Sequence, residues 1–216
     1  NKKTNWKTII KKSPTKANSH HLFNIKNKNF FTHVKLNIFP DGGVARLRVY
    51  GSMKVKKKLS KGTQNLTSII NGSVPIACNN EHFGRAENIL APGVGKNMGD
   101  GWETRRSRGK NFDWIIIKCS TEGKIDRIQI DTHHFKGNYP DKCSIQATYI
   151  DNKLSSKNIV KKSKRWKLLL NKTKLYAHKK HNFKNKIMRN KKINYIRINI
   201  FPDGGISRVR IFGKTE

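Results

Sequence analysis

Acidic residues are scarce in this 216-residue chain: Asp and Glu number 13 against 47 Lys and Arg, which gives a formal net charge of +34. Long apolar runs are also missing. Runs such as Ile115–Ile117 and Leu168–Leu170 contain three residues, far fewer than the roughly 18 that a membrane-spanning helix needs. The sequence therefore predicts no membrane association. Because no export signal is evident, we expect a cytoplasmic location.

Cysteine is equally sparse. The three cysteines, Cys78, Cys119 and Cys143, are an odd number and have no CxxC spacing. This excludes a disulfide framework and a cysteine-based zinc cluster. Cys119 and Cys143 each adjoin a strand-like run, so we predict that both are small buried residues of the core.

The excess of positive charge is unevenly distributed. Residues 85–150 contain 11 basic and 8 acidic residues, whereas residues 151–197 contain 17 basic residues and one acid. Many of its Lys residues lie in Asn-interrupted tracts, and these tracts contain none of the Arg forks, aromatic platforms or recognition helices that nucleic-acid binding uses. We therefore interpret its tracts as solvated loops and do not favour nucleic acid as the partner.

An internal repeat is the most informative feature of the chain. Val34–Gly51 recurs as Ile196–Gly213 with mostly conservative differences, and both copies contain NIFPDGG followed by Arg-x-Arg. In each copy, alternating apolar residues lead into Pro-Asp-Gly-Gly, a sequence typical of tight turns. We predict that each copy ends as a β-hairpin whose apolar side chains face the core, while Arg208 and Arg210 point to the other face.

Further short strands are predicted at 112–119, 125–131, 144–150 and 166–170. Short strands at this spacing, without a sustained helical period, predict an all-β antiparallel sandwich.

The repeat also predicts the domain organisation. Residues 1–51 form the carboxy-terminal part of a first repeat, residues 52–84 a linker, and residues 85–216 a complete second repeat. Comparison of the two copies leaves about 76 residues of the first repeat unaccounted for. We therefore expect the chain to be the carboxy-terminal part of a longer protein or an incomplete gene product.

Two dense polar segments, residues 99–108 and 131–140, each occur once. Taken singly, their residues have structural explanations: Trp102 as a core aromatic, Glu103 in a salt bridge, Asp131 as a turn cap. Together they bring carboxylates, histidines and an arginine cluster to one strand pair. Such a set can hold an anion and transfer protons to and from it.

The motifs in these segments resemble those of the allantoicase family. The resemblance rests on GDGWETRRSR, DTHHFKGNYP, ENILAPG, FDW and the doubled NIFPDGG. It implies tandem jelly-roll β-sandwich repeats of the galactose-binding-like type, the first one incomplete. It also implies hydrolysis of allantoate to ureidoglycolate and urea in purine catabolism, by an enzyme that we expect to be a homo-oligomer. Because two of the motifs occur once here, we expect that activity to be impaired if both repeats are needed.

The chemistry implied by the resemblance assigns roles to nine residues. The acid–base residues are predicted to be Glu103, Asp131 and His134. The residues predicted to bind the substrate carboxylate and ureido groups are Arg105, Arg106, Lys136, Asn138, Arg208 and Arg210.

Two questions stay open at this level. The first is whether a metal or cofactor is needed: we assign no metal ligands, because His133, His134 and Asp131 lack the spacing of a strong metal signature. The second is whether the fold serves catalysis at all. A noncatalytic ligand-binding module of the same fold is the main alternative, and a basic nucleic-acid-associated protein is a further one.

Overall fold

The computed structural model describes residues 5–51, 62–107, 109 and 111–215. They fall into two compact units, Asn1–Lys54 and Val55–Glu216.

The second unit is built mainly from antiparallel strands. Its strands are β1 (Gly62–Asn65), β2 (Val74–Cys78), β3 (Trp102–Glu103), β4 (Asp113–Asp131), β5 (Lys142–Thr148), β6 (Lys167–Lys174), β7 (Lys180–Phe183), β8 (Ile193–Phe201), β9 (Gly205–Ile206) and β10 (Arg208–Thr215). One α-helix, α1 (Ser156–Ser163), and three short 3-10 helices (Ile69–Asn71, Ala86–Leu90 and Met98–Asp100) complete it. None of the helices in the described residues is long and apolar enough to cross a membrane.

Eight of these strands form two sheets that share β4, and the short strands β3 and β9 pair with each other. Sheet 1 has the order β1-β10-β4-β7, and sheet 2 has the order β2-β4-β8-β5-β6. The first part of β4 pairs with β2 and β8, and the last part pairs with β10 and β7. The change of partners occurs where the β4–β8 register shifts, between Lys118 and Gly123. The predicted all-β sandwich is confirmed.

The core follows the alternation of side chains along the strands. Ile115 and Ile117 pack into the main core together with Ile196, Ile198 and other strand residues. The intervening Ile116 faces the opposite side, where it packs with Ile159 of α1. Because every second residue points to the same face, sheet 2 buries apolar side chains on both faces.

Both predicted core cysteines are buried. Burial in apolar surroundings disfavours the thiolate and raises the pKa of Cys119 and of Cys143 to about 12. Cys78 is half-buried, and its pKa is raised to about 11, chiefly by burial and secondarily by the nearby charge of Glu81.

The predicted β-hairpin at the end of the second repeat is wrong in one respect. Ile196, Ile198 and Ile200 on β8 are buried as expected, but β8 does not pair with β10. Each of the two strands pairs instead with a different part of β4. The Pro202–Gly205 segment therefore carries the chain from sheet 2 to sheet 1.

The stretch predicted as a linker also differs from expectation. Residues 62–84 contain β1 and β2, which pair with β10 and β4 respectively. They are part of the second unit, whereas residues 52–61 lie outside the described residues. A Lys-rich tract that was predicted to be a solvated loop contains α1, and Ser155 caps this helix by accepting a hydrogen bond from the Asn158 backbone N–H.

The first unit contains no helix or strand within residues 5–51. Its predicted β-hairpin is therefore not formed, and its apolar residues are exposed: Ile38 is 44% exposed, whereas its counterpart Ile200 is fully buried. In the second unit the equivalent residues lie on β8 and β10, which pair with β4, and they are buried in the core. Residues 5–51 include no counterpart of that strand.

Candidate active site

A cleft of about 530 Å³ opens beside the turn that connects the two sheets. Four chain segments line it: Phe83, the end of β3 with the residues that follow it, the loop between β4 and β5, and the Pro202–Gly204 turn. The residues that line the cleft are Phe83, Glu103, Thr104, Arg106, Ser107, Gly137, Asn138, Tyr139, Asp141, Pro202, Asp203 and Gly204. The volume falls within the range of small-molecule sites.

Glu103 is held at the cleft by the short strand pair β3–β9. Trp102, its neighbour, is fully buried and donates its indole N–H to the Asn80 carbonyl at 2.7 Å. This confirms the core role of Trp102. Because side chains alternate along a strand, the buried Trp102 leaves Glu103 on the cleft side, where its Oε1 accepts a hydrogen bond from the Asn138 amide.

The loop that carries Asn138 is pinned to the connecting turn. The Gly205 N–H donates to the Asn138 carbonyl at 2.7 Å, and the Gly204 N–H donates to Thr104 Oγ1 at 3.1 Å. Gly204 has φ +129°, and a Cβ at this position would lie 2.7 Å from the Asn138 carbonyl oxygen. Only glycine fits there without moving backbone.

Asp203 is a cleft residue that the sequence analysis missed. Its Oδ2 accepts a hydrogen bond from the Ser107 N–H at 2.7 Å. The Asp-Gly-Gly sequence predicts a turn, and the structure has a turn there. Because the turn already accounts for an aspartate at this position, the sequence offered no separate reason to assign a function to the Asp203 carboxylate. The available signal was the recurrence of this aspartate, as Asp41 and Asp203, in both copies of NIFPDGG.

The predicted arginine pair is divided by the structure. Arg106 lines the cleft and is exposed, so its guanidinium is available to an anion. Arg105 lies outside the lining: its backbone N–H donates to Asn80 Oδ1 at 3.1 Å, and its Nη2 lies 3.5 Å from His82 Nδ1. Lys136 is exposed and is also outside the lining.

Asp131 lies at the end of β4, directly opposite Arg208 in the strand register. The Asp131 carboxylate is buried and accepts a hydrogen bond from the His133 N–H at 2.9 Å. Arg208 donates from Nη1 to the Asp100 carbonyl at 2.6 Å. Its Nε is buried without a hydrogen-bond partner among the described residues. Burial lowers the pKa of Arg208, while the nearby charges of Asp100 and Asp131 act in the opposite direction.

Arg210 anchors the loop that follows the second 3-10 helix. Its guanidinium donates to the carbonyls of Ile89, Ala91 and Gly93 at 3.1, 2.6 and 3.0 Å. Burial lowers its pKa. With three loop carbonyls bound, Arg210 in this structure organises backbone.

His134 contacts the same loop from the other side. Its Nε2 lies 2.9 Å from the Gly95 carbonyl, and its backbone N–H donates to His178 Nδ1 at 3.0 Å. The ring of His133 lies between, 4.2 Å from the ring of His134 and 4.1 Å from that of His178. Burial, together with these two neighbouring imidazoles, lowers the pKa of His133.

The predicted site residues thus separate into groups. Glu103, Arg106 and Asn138 meet in the cleft. A loop-anchoring cluster, defined as His134, Arg208 and Arg210, contacts carbonyl groups of residues 89–100, and Asp131 lies opposite Arg208 in the strand register. Arg105 and Lys136 belong to neither group.

Among the residues that the structure describes, no group of three or more His, Cys, Asp and Glu side chains is arranged to hold a metal ion. The side chains that line the cleft have chemistry of their own. A guanidinium can bind an anion, and a carboxylate held by an amide can transfer a proton.

The fold and the cleft define a class. A two-sheet antiparallel sandwich with a polar cleft formed by its loops is the jelly-roll sandwich of the galactose-binding-like type. A fucolectin from striped bass serum shares this fold at 14% identity and a TM-score of 0.50, covering 70% of this chain and 48% of the lectin.

The chain belongs to the allantoicase family: the family model of the allantoicase repeat matches residues 1–54 and 64–216. A probable allantoicase of Acinetobacter baumannii is 45% identical over 209 residues, which is 97% of this chain and 62% of the relative. A probable allantoicase of Photobacterium profundum is 46% identical over 220 residues, 99% of this chain and 65% of the relative.

The crystal structure of allantoicase from Saccharomyces cerevisiae gives a TM-score of 0.60 at 33% identity, covering 70% of this chain and 43% of the yeast chain. The present chain therefore spans less than two thirds of the length of the curated relatives it matches.

Proposed function

We propose that this chain is an allantoicase that hydrolyses allantoate to ureidoglycolate and urea. The observation that supports this function best is the meeting of Glu103, Arg106 and Asn138 in one cleft, although they come from two separate segments. Membership of the allantoicase family supports the same reaction.

The proposed reaction breaks one carbon–nitrogen bond. Allantoate has a central carbon that bears a carboxylate, a hydrogen and two ureido groups. The water oxygen bonds to this carbon, and one ureido group departs with a proton as urea. In this proposal Arg106 binds the carboxylate, because a guanidinium matches its two oxygens. Glu103 transfers the proton, a role supported by its hydrogen bond with Asn138, which orients it.

The predicted acid–base roles of Asp131 and His134, and the predicted substrate contacts of Arg105, Lys136, Arg208 and Arg210, stay predictions. The described contacts of the loop-anchoring cluster are mainly with backbone groups. We infer that His134, Arg208 and Arg210 support the cleft by fixing the neighbouring loop.

The direct test is the release of urea and ureidoglycolate from allantoate by the chain. Glu103→Gln keeps an acceptor oxygen for Asn138 but cannot transfer the proton, so kcat should fall by roughly 100-fold or more. Glu122→Gln is the matched control, because Glu122 forms an exposed ion pair with Lys192 away from the cleft.

Equal turnover by the Glu103→Gln and unmodified chains would contradict the assignment. Binding of allantoate without any release of urea would favour the noncatalytic ligand-binding module instead.

A cytoplasmic location and a homo-oligomeric state stay predictions. The same holds for the expectation that nucleic acid is not the partner.

A further inference from the structure

We propose that Asp203 determines specificity for ureides by accepting the N–H groups of a ureido arm, an inference that rests on the proposed function. In this arrangement Arg106 binds the carboxylate of the ligand and Asp203 binds the other end. The ligands selected are N-carbamoyl amino acids, molecules that carry a carboxylate and a ureido group on the same carbon.

The position of Asp203 is fixed by backbone. Its Oδ2 accepts the Ser107 N–H at 2.7 Å, and the following Gly204 is in close contact with the backbone of residues 138–140. Asp203 lines the cleft together with Glu103 and Arg106. A carboxylate held in this way meets a ligand with little further loss of side-chain entropy.

Among the three carboxylates that line the cleft, Asp203 is the one suited to this contact. Glu103 already accepts the Asn138 amide. Asp141 forms ion pairs with Lys174 and, at 3.2 Å, with Lys142, and these lower its pKa. The described hydrogen bond of Asp203 occupies one lone-pair site, whereas a carboxylate has about four.

The chemistry of the two partners is complementary. A ureido group presents two N–H bonds that point the same way, and a carboxylate can accept both in parallel. Hydrogen bonds to a charged acceptor contribute more than neutral ones. An amide-bearing analogue that lacks the terminal NH₂ cannot form the second bond.

The experiment compares two small ligands that are not substrates, hydantoate and N-acetylglycine. Both carry a carboxylate, but only hydantoate carries a ureido group. Calorimetric titration of the unmodified chain should show tighter binding of hydantoate. Asp203→Asn keeps an acceptor for the Ser107 N–H, yet places an NH₂ against the ureido group. We expect it to weaken hydantoate binding by about 10- to 100-fold and to leave N-acetylglycine binding nearly unchanged.

Asp41→Asn is the matched control, because Asp41 holds the same motif position in the first unit; it should retain the preference of the unmodified chain. If Asp203 had only a structural role, Asp203→Asn would weaken the binding of both ligands equally. That result, or no preference for hydantoate in the unmodified chain, overturns the proposal.

Urea release from allantoate is measured on the same preparations. If the chain releases urea but does not prefer hydantoate, the proposed role of Asp203 is overturned and the proposed reaction stands. If the chain prefers hydantoate but releases no urea, the role of Asp203 is supported and the proposed hydrolase activity is contradicted.

Discussion

Gly204 links the connecting turn to the cleft, and Gly204→Ala tests that link. The residue has φ +129°, and an added Cβ would lie 2.7–2.8 Å from backbone atoms of residues 138–140. Backbone strain at such a position costs about 1–3 kcal/mol. Separation of the turn from the loop would also weaken the Gly204–Thr104 and Gly205–Asn138 hydrogen bonds, at about 1 kcal/mol each.

The expected destabilisation is therefore about 3 kcal/mol or more. For a unit of this size, 3 kcal/mol corresponds to a fall in Tm of roughly 6–12 °C. Circular dichroism during heating measures it, and titration with hydantoate reports whether the cleft has changed. Gly42→Ala is the control, since Gly42 has φ +126° at the same motif position but no atom within 4 Å of its added Cβ. A fall in Tm of less than about 2 °C with unchanged ligand affinity would refute the reasoning.

Two further predictions concern titratable side chains. At pH 8, a thiol reagent should modify the half-buried Cys78 well before Cys119, whose burial raises its pKa to about 12; equal rates of modification would contradict this. Burial lowers the pKa of His181, which accepts the Tyr176 N–H at its Nε2. The stability contributed by neutral His181 is complete above its ordinary pKa of 6.5 and is lost as the pH falls through the lower folded value. Denaturant titrations should show this loss as the pH falls below about 6.5, and a pH dependence unaltered in His181→Asn would exclude His181 as its source.

The local part of the fold could be predicted from sequence. Alternation of apolar residues identified the buried positions Ile196, Ile198 and Ile200, because the period of a strand is a property of neighbouring residues. The pairing of strands could not be predicted in the same way. The turn sequence favours a hairpin, but β8 and β10 pair with β4, whose paired residues lie 70 to 90 positions earlier in the chain.

The candidate site likewise contains residues that could be predicted from the sequence and residues that could not. Glu103 and Asn138 stood out because polar residues are dense in their segments. Arg210 was predicted to bind substrate on the same grounds. Its hydrogen-bond partners depend on which loop covers the sheet, and the composition of the sequence does not indicate which loop this is. Asp203 was not predicted as a site residue, because its position in a tight turn was already a sufficient reason for an aspartate to occur there.

The shared strand β4 has a mechanical consequence. One uninterrupted peptide segment of 19 residues carries hydrogen bonds of both layers. If one sheet unfolded, β4 would lose hydrogen bonds that also hold it in the other sheet. We therefore expect the sandwich to unfold in a single cooperative step rather than one sheet at a time. A backbone cut near Gly123 would remove this link, and the layers would then be joined by the Pro202–Gly205 connection and by the core that they share.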